Sequence, residues 1–363
     1  MPRLIPMIVI AVAIYFWLRS RKARKAESGP AATGRAAGAP QLSARSAALG
    51  FLPADRLDTE RSRPLDPALA AALDAARTGD WKPAAELLSA TTAGPDWETR
   101  TFQVARLGSL AAEDDTWLAA WEAADPDSPD AAVVRADSSV SLAGELRGSA
   151  TAANTTQEQF DGFHRMMRRA RGEIARAAEL NPADPTPYID EIWVALALRY
   201  SHDDMRALWE RITARAPHHY SAHYAAMQYW CQKWRGSVEL AREFTDRVVA
   251  TAPPGSLLTA FPLISWYEHE SFGHTDRGYR TPEVSAMVDA LAADVAAAPA
   301  DHLRLNEVRL LLAWYLVELR RYPEALEQFR LVDGHIGAFP WNYYGDPAKA
   351  YVKARELTVR KAG

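Results

Sequence analysis

Histidine and acidic residues come closest to a reactive pattern in Glu268-His269-Glu270-Ser271-Phe272-Gly273-His274, with Asp276 just beyond. Metal-assisted hydrolysis on a helix needs two imidazoles four residues apart, so that both reach one ion, and a carboxylate between them as general base. His269 and His274 are five apart, which turns them about 140° from each other on an ideal helix. Gly273 also favours a helix end before the second imidazole. A metal-dependent hydrolase using His269, Glu270 and His274 is therefore the alternative, and it needs His274 on a loop plus a third ligand that no neighbouring residue supplies. Polar side chains at a helix end are the simpler expectation. His219 and His223 are four apart and can share a helix face, with His218 and Tyr220 in the same turn. Such a pair chelates when a carboxylate joins it, but histidine is equally at home at helix entrances. Cys231, the only cysteine, lies in an aromatic, apolar-rich stretch and is most simply a buried thiol. No P-loop, dinucleotide glycine fingerprint, nucleophile elbow or paired-cysteine zinc pattern occurs. No catalytic residue, metal, cofactor or small-molecule substrate is assigned.

The elements available to position such groups are helical. After Pro64, apolar residues recur three and four apart, and alanine, leucine and arginine dominate. Asp66 can cap a helix from Pro67 to Arg77, Gly79 can end it in a left-handed conformation, and Lys82 opens an antiparallel partner. Prolines fall at helix boundaries. Before Pro64 the character changes. Residues 26–64 are rich in Ala, Gly, Ser, Pro and Arg and suggest a flexible linker, with one apolar patch at Leu49-Gly50-Phe51-Leu52-Pro53.

Residues 1–25 differ again. Leu4 to Leu18 is 15 residues without a charge, or roughly 22 Å as a helix. That falls short of a ~30 Å hydrocarbon core, and snorkelling by Arg3 and Arg19 can cover the difference. Tyr15, Phe16 and Trp17 sit where interfacial aromatics belong. Five basic residues follow between Arg19 and Lys25, the reverse of the order in a cleaved signal peptide. The expectation is a single-pass transmembrane anchor in the cell membrane, with the basic flank and all that follows in the cytoplasm. The net charge of −4 thus divides into +6 for residues 1–25 and −10 for the rest, which gives no reason to expect nucleic acid as a partner. Of the 42 basic residues, only seven are lysine.

Across residues 65–363 the helical pattern repeats. Pro182 to Pro217 is 35 residues and Pro217 to Pro253 is 36, a period of one helical hairpin. A lone hairpin cannot bury its apolar face, so such units stack. The fit is best where Leu312, Ala313 and Leu316 precede Arg321-Tyr322-Pro323-Glu324-Ala325 and Phe329. Ala84 with Leu88, and Ala241 with Val248, repeat the half-motif. On these residues the chain resembles the tetratricopeptide-repeat proteins, although the helix-packing glycine is absent and Met205 replaces one small residue. The resemblance implies an all-α fold, a right-handed superhelix of antiparallel hairpins (a TPR-like α-solenoid). A narrower stretch, Tyr229-Trp230-Cys231-Gln232-Lys233-Trp234-Arg235-Gly236-Ser237 with Ala252-Pro253-Pro254-Gly255-Ser256, looks like a bacterial helical-repeat family of unknown function. In it a KW-x-GS turn joins two helices. Gly236 suits the tight turn, Ser237 can cap the helix Val238–Thr251, and Trp234 can plug the apex.

The repeat resemblance implies a concave surface lined by the first helix of each unit. Its groove positions fall on Thr186, Ile189 and Trp193 in one unit, and on Ser221, Tyr224, Gln228 and Gln232 in the next. Apolar anchors with amide donors suit a protein or peptide partner. The competing expectation is that Ile189 and Trp193 belong to the core between repeats. The tail Trp341–Pro347 is expected to fold onto the last hairpin, with a final helix from Ala348 to about Arg360 capping the array.

Overall fold

The computed structural model describes residues 42–93, 96–147, 156–270 and 278–362. Residues 1–25, and with them the expected anchor, lie outside the described residues. So does His274. Among the described residues the chain is all-α, with sixteen α-helices and no strand, and no helix is long and apolar enough to cross a membrane.

The helices divide into two compact units, one from Leu65 to Phe244 and one that joins the segment before Leu65 to Thr245–Gly363. The first unit is thus inserted between two parts of the second. It contains α2 (Pro67–Arg77), α3 (Lys82–Ala93), α4 (Trp97–Glu113), α5 (Thr116–Ala124), α6 (Pro129–Arg147), α7 (Gln157–Leu180), α8 (Thr186–Leu198), α9 (His202–Thr213), α10 (Tyr220–Trp230) and the start of α11 (Val238–Thr251). The helix ends follow local chemistry. Asp66 accepts from the backbone N–H groups of Ala68 and Leu69, with Pro67 in the first turn. Gly79 adopts φ +90°, the left-handed conformation that stops α2. Thr156 and Ser201 close capping boxes with Gln159 and Asp204. Leu69, Leu88, Leu107, Trp117, Trp121 and Val134 form the core beneath α2–α6, and Trp81 stacks on Trp121 at 5.6 Å. α7 lies along α6, α8 packs on α7, and α10 packs on α8.

The second unit contains α1 (Ala44–Ala48), the rest of α11, α12 (Ala260–Glu270), α13 (Pro282–Ala297), α14 (Leu305–Glu318), α15 (Tyr322–Val332) and α16 (Pro347–Lys361). Ala325 and Phe329 on α15 are fully buried, as close hairpin packing requires. Trp341 is buried and its indole N–H donates to Leu310 O at 3.0 Å, so the aromatic tail does fold back onto α14.

The flexible linker expected over 26–64 needs correction for its described part. Residues 42–64 form a strap on the C-terminal hairpin. Arg355, fully buried on α16, donates to Asp333 Oδ1 at 2.6 Å and to Leu52 O at 2.8 Å. Leu52 N–H donates to the other Asp333 oxygen at 2.6 Å. Beyond it, Asp58 exchanges backbone bonds with Gly334 (2.7 Å) and Ile336 (2.8 Å), and Gly337 N–H donates to Arg61 O at 3.0 Å. Phe51 is buried with the Arg355 guanidinium 4.8 Å above its ring. The apolar patch around Phe51 was the visible signal. Its partner lies some 300 residues away.

Candidate functional site

Of the seven groove positions, Thr186, Ile189 and Trp193 sit on α8, Ser221, Tyr224 and Gln228 on α10, and Gln232 in the turn after it. Thr186, Ile189, Trp193 and Gln228 are buried, Ser221 and Tyr224 are half-buried, and Gln232 is exposed. The first four therefore cannot serve as an open groove surface, and the core expectation for Ile189 and Trp193 is the one the packing supports.

The first turns of α4 meet the entrance of α8 and α10. Thr101 and Thr186 share a hydrogen bond of 2.8 Å. Glu98 accepts from Tyr220 N–H at 2.9 Å and from the Ser221 hydroxyl at 3.3 Å. His219 brings Nε2 to 3.1 Å from both Trp97 O and the Thr101 hydroxyl. A helix of this chain thus satisfies the polar entrance of α8 and α10. Asp96 starts that helix by accepting from Thr99 N–H.

Beside this contact lies an ionic node absent from the expectations. Arg100 is fully buried and donates Nε to Asp184 Oδ2 (2.6 Å), Nη2 to Asp130 Oδ1 (2.6 Å) and Nη1 to Leu88 O (3.1 Å). Asp184, also buried, accepts from Thr186 N–H at 2.8 Å. Burial opposes the charge on Arg100, but the two carboxylates more than offset it and raise its pKa. One side chain thereby ties the middle of α3, the starts of α6 and α8, and α4 together. Pro182, used in the sequence only to mark a repeat boundary, stands two residues before Asp184.

The histidine pair does structural work. His219 precedes α10 and its Nδ1 faces Ala222 N–H at 3.3 Å and Glu98 Oε2 at 3.1 Å. His223 places Nδ1 2.9 Å from His219 O and sets its ring edge-on to Trp209 at 4.9 Å. Burial pushes His223 down to about 4. Its unfolded value is near 6.5, so the unfolded chain takes up the proton first as pH falls. The stabilisation is intact above pH 6.5 and is lost progressively down to pH 4, on the order of 2–3 kcal/mol. Urea unfolding at pH 7 and pH 4 should show that much extra loss in the natural chain relative to His223→Gln. Equal losses in the two would rule the assignment out.

His269 directs Nδ1 to Ser265 O at 2.8 Å, a bond along α12. His274 lies outside the described residues, so these do not bring together the alternative hydrolase set of His269, Glu270 and His274. Among the described residues no three His, Cys, Asp or Glu side chains come together to hold a metal ion.

An open groove of about 520 Å³ is lined by Asp115, Glu122, Ser128, Arg135, Arg169 and Arg176, among others. Arg135 forks onto Glu122 (2.9 and 2.7 Å) and reaches Asp115 at 2.6 Å. Arg169 pairs with Glu173, and Arg176 with Asp127. The three arginines are thus paired, and the lining, which includes Asp125 and Glu173, carries four carboxylates against three guanidinium groups.

The KW-x-GS turn is built as its residues suggest at two points. Ser237 Oγ accepts from Leu240 N–H at 3.2 Å, capping α11. Gly236 is required by crowding: a Cβ there would lie 1.8 Å from Trp230 O. Trp234 is half-buried at the apex. His202 on α9 bonds Arg235 O through Nε2 at 2.7 Å and packs against Trp230 at 5.0 Å, fixing the turn to the preceding hairpin. Comparison with family models, with curated proteins and with solved structures finds no match to this chain.

Proposed function

We propose that this chain is a membrane-anchored helical-repeat scaffold that binds a protein partner and carries no catalytic centre of its own. In this reading the hairpins form a TPR-like, right-handed superhelix. Residues 1–25 span the cell membrane once, and the helices lie in the cytoplasm. The observation that carries the repeat reading is spacing: α8 and α10 begin 34 residues apart, each followed by a second helix, α9 and α11. The uncharged run Leu4–Leu18 with its basic flank supports the anchor.

In this reading the partner meets what stays accessible of the assigned groove, half-buried Tyr224 and exposed Gln232, beside Ser221 and its bond to Glu98. A photo-cross-linking side chain placed at 232 in the full chain, in its native membrane, is expected to capture one predominant protein. Tyr224→Ala should reduce that capture severalfold while leaving the helix content intact. Absence of any predominant adduct, with the chain abundant in the membrane, would remove the scaffold reading. A phosphatase fused after Gly363 and active outside the membrane would overturn the cytoplasmic orientation.

A further inference from the structure

Charge is distributed unevenly within the second unit. Residues 245–346 carry 8 basic against 14 acidic side chains, whereas α16 alone carries 5 basic against one acidic. Three of the chain's seven lysines, Lys349, Lys353 and Lys361, fall on this one helix, and two more, Lys22 and Lys25, belong to the basic flank of the proposed anchor. Lys349, Lys353, Arg360 and Lys361 are all exposed. At 100° per residue, Lys349, Lys353 and Arg360 fall within about 40° of one another, with Lys361 to one side. The acidic groups nearby are engaged elsewhere. Asp346 caps the helix through Lys349 N–H at 2.9 Å, and half-buried Glu356 lies 3.9 Å from Arg355. Helix-dipole complementarity accounts for Arg360 and Lys361 in the last turn. It opposes Lys349 in the first turn, where no acidic residue stands. The row needs another explanation.

The strap supplies a direction for it. α1 and the turn Ala54–Arg56 pack against α16, and they expose Arg45 and Arg56 beside a single exposed Asp55. The strap begins 17 residues after Lys25, so whatever the conformation between them, the start of the strap that packs on α16 is held within roughly 60 Å of the anchor's basic end.

We propose that the exposed basic face of α16, Lys349, Lys353, Arg360 and Lys361, docks onto the anionic phospholipid surface of the membrane that holds the chain's own anchor. This rests on the anchored, cytoplasmic reading above. Charge complementarity selects the partner: each lysine or arginine near an anionic bilayer strengthens association about fivefold, so three act together on the order of a hundredfold. The attraction extends little beyond a Debye length of about 8 Å, so the face must come close to the headgroups.

The scarcity of lysine makes the test direct. The full chain is reconstituted in lipid nanodiscs of pure phosphatidylcholine, or of phosphatidylcholine with 30% phosphatidylglycerol. Lysine acylation is then followed by mass spectrometry. Lys349 and Lys353 are expected to react about tenfold more slowly in the anionic discs, with Lys82 unchanged as the internal reference. Salt at 0.5 M should erase the difference. Arg360→Glu with Lys361→Glu should return Lys349 towards its neutral-disc rate. Equal Lys349 and Lys353 rates in both discs, for a chain that resists alkaline extraction, would overturn the surface and leave the anchor standing. A chain released by alkali would overturn the anchor and this surface with it.

Discussion

Arg100→Met is expected to lower the unfolding free energy of the first unit by about 3–5 kcal/mol, the cost of breaking a buried ion pair from one side. Methionine fills much of the same volume, so the loss reports charge more than cavity. It leaves the buried carboxylate of Asp184 with only the Thr186 N–H, and that of Asp130 without its cation. Asp184→Asn in the Arg100→Met background should restore part of the loss, because asparagine keeps the acceptor for Thr186 and removes the uncompensated charge. Urea unfolding followed by helical circular dichroism measures both. A loss below about 1 kcal/mol for Arg100→Met would mean that the node contributes little beyond its geometry.

Gly236→Ala should be comparably damaging for a different reason. The added Cβ meets main-chain atoms, 1.8 Å from Trp230 O and 2.4 Å from Trp230 C, and no rotamer change can move them aside. The turn must open, and the His202–Arg235 O bond goes with it. We expect a loss on the order of 3 kcal/mol or more, together with faster amide exchange over 231–240. Ser237→Ala, which removes only the cap on Leu240 N–H, should cost about 1 kcal/mol. Similar effects from the two substitutions would show that the backbone contact is not what makes glycine necessary.

Helix boundaries were legible because they are decided locally. Asp66 with Pro67, Gly79 and Ser237 each act within three or four residues, and each stands where a helix starts or stops. The aromatic tail was legible through Trp341, too large and apolar to leave in water. What escaped was long-range. Arg100 stands in the first turn of α4 as an ordinary charged residue of the pattern, and only the approach of Asp130 and of Asp184, 84 residues on, makes it a tie. Beyond the apolar patch around Phe51, the strap holds on by backbone bonds and by Arg355, which no local periodicity records. The groove positions rested on a repeat register. They fell on α8, on α10 and in the turn after it, but register says nothing about a neighbouring helix, and α4 brings Glu98 and Thr101 to the entrance.

The insertion of the first unit into the second sets an order of events during synthesis. Residues 42–64 leave the ribosome with neither Asp333 nor Arg355 yet made, whereas the hydrogen-bond partners described within 65–244, at most 123 residues apart, are complete well before them. At 5–20 residues per second, the strap waits roughly 15–60 s for α16. The segment next to the proposed anchor is therefore the last to be secured. A chain interrupted before Arg355 would keep the helices of its first unit and lose the polar clasp on its own tether.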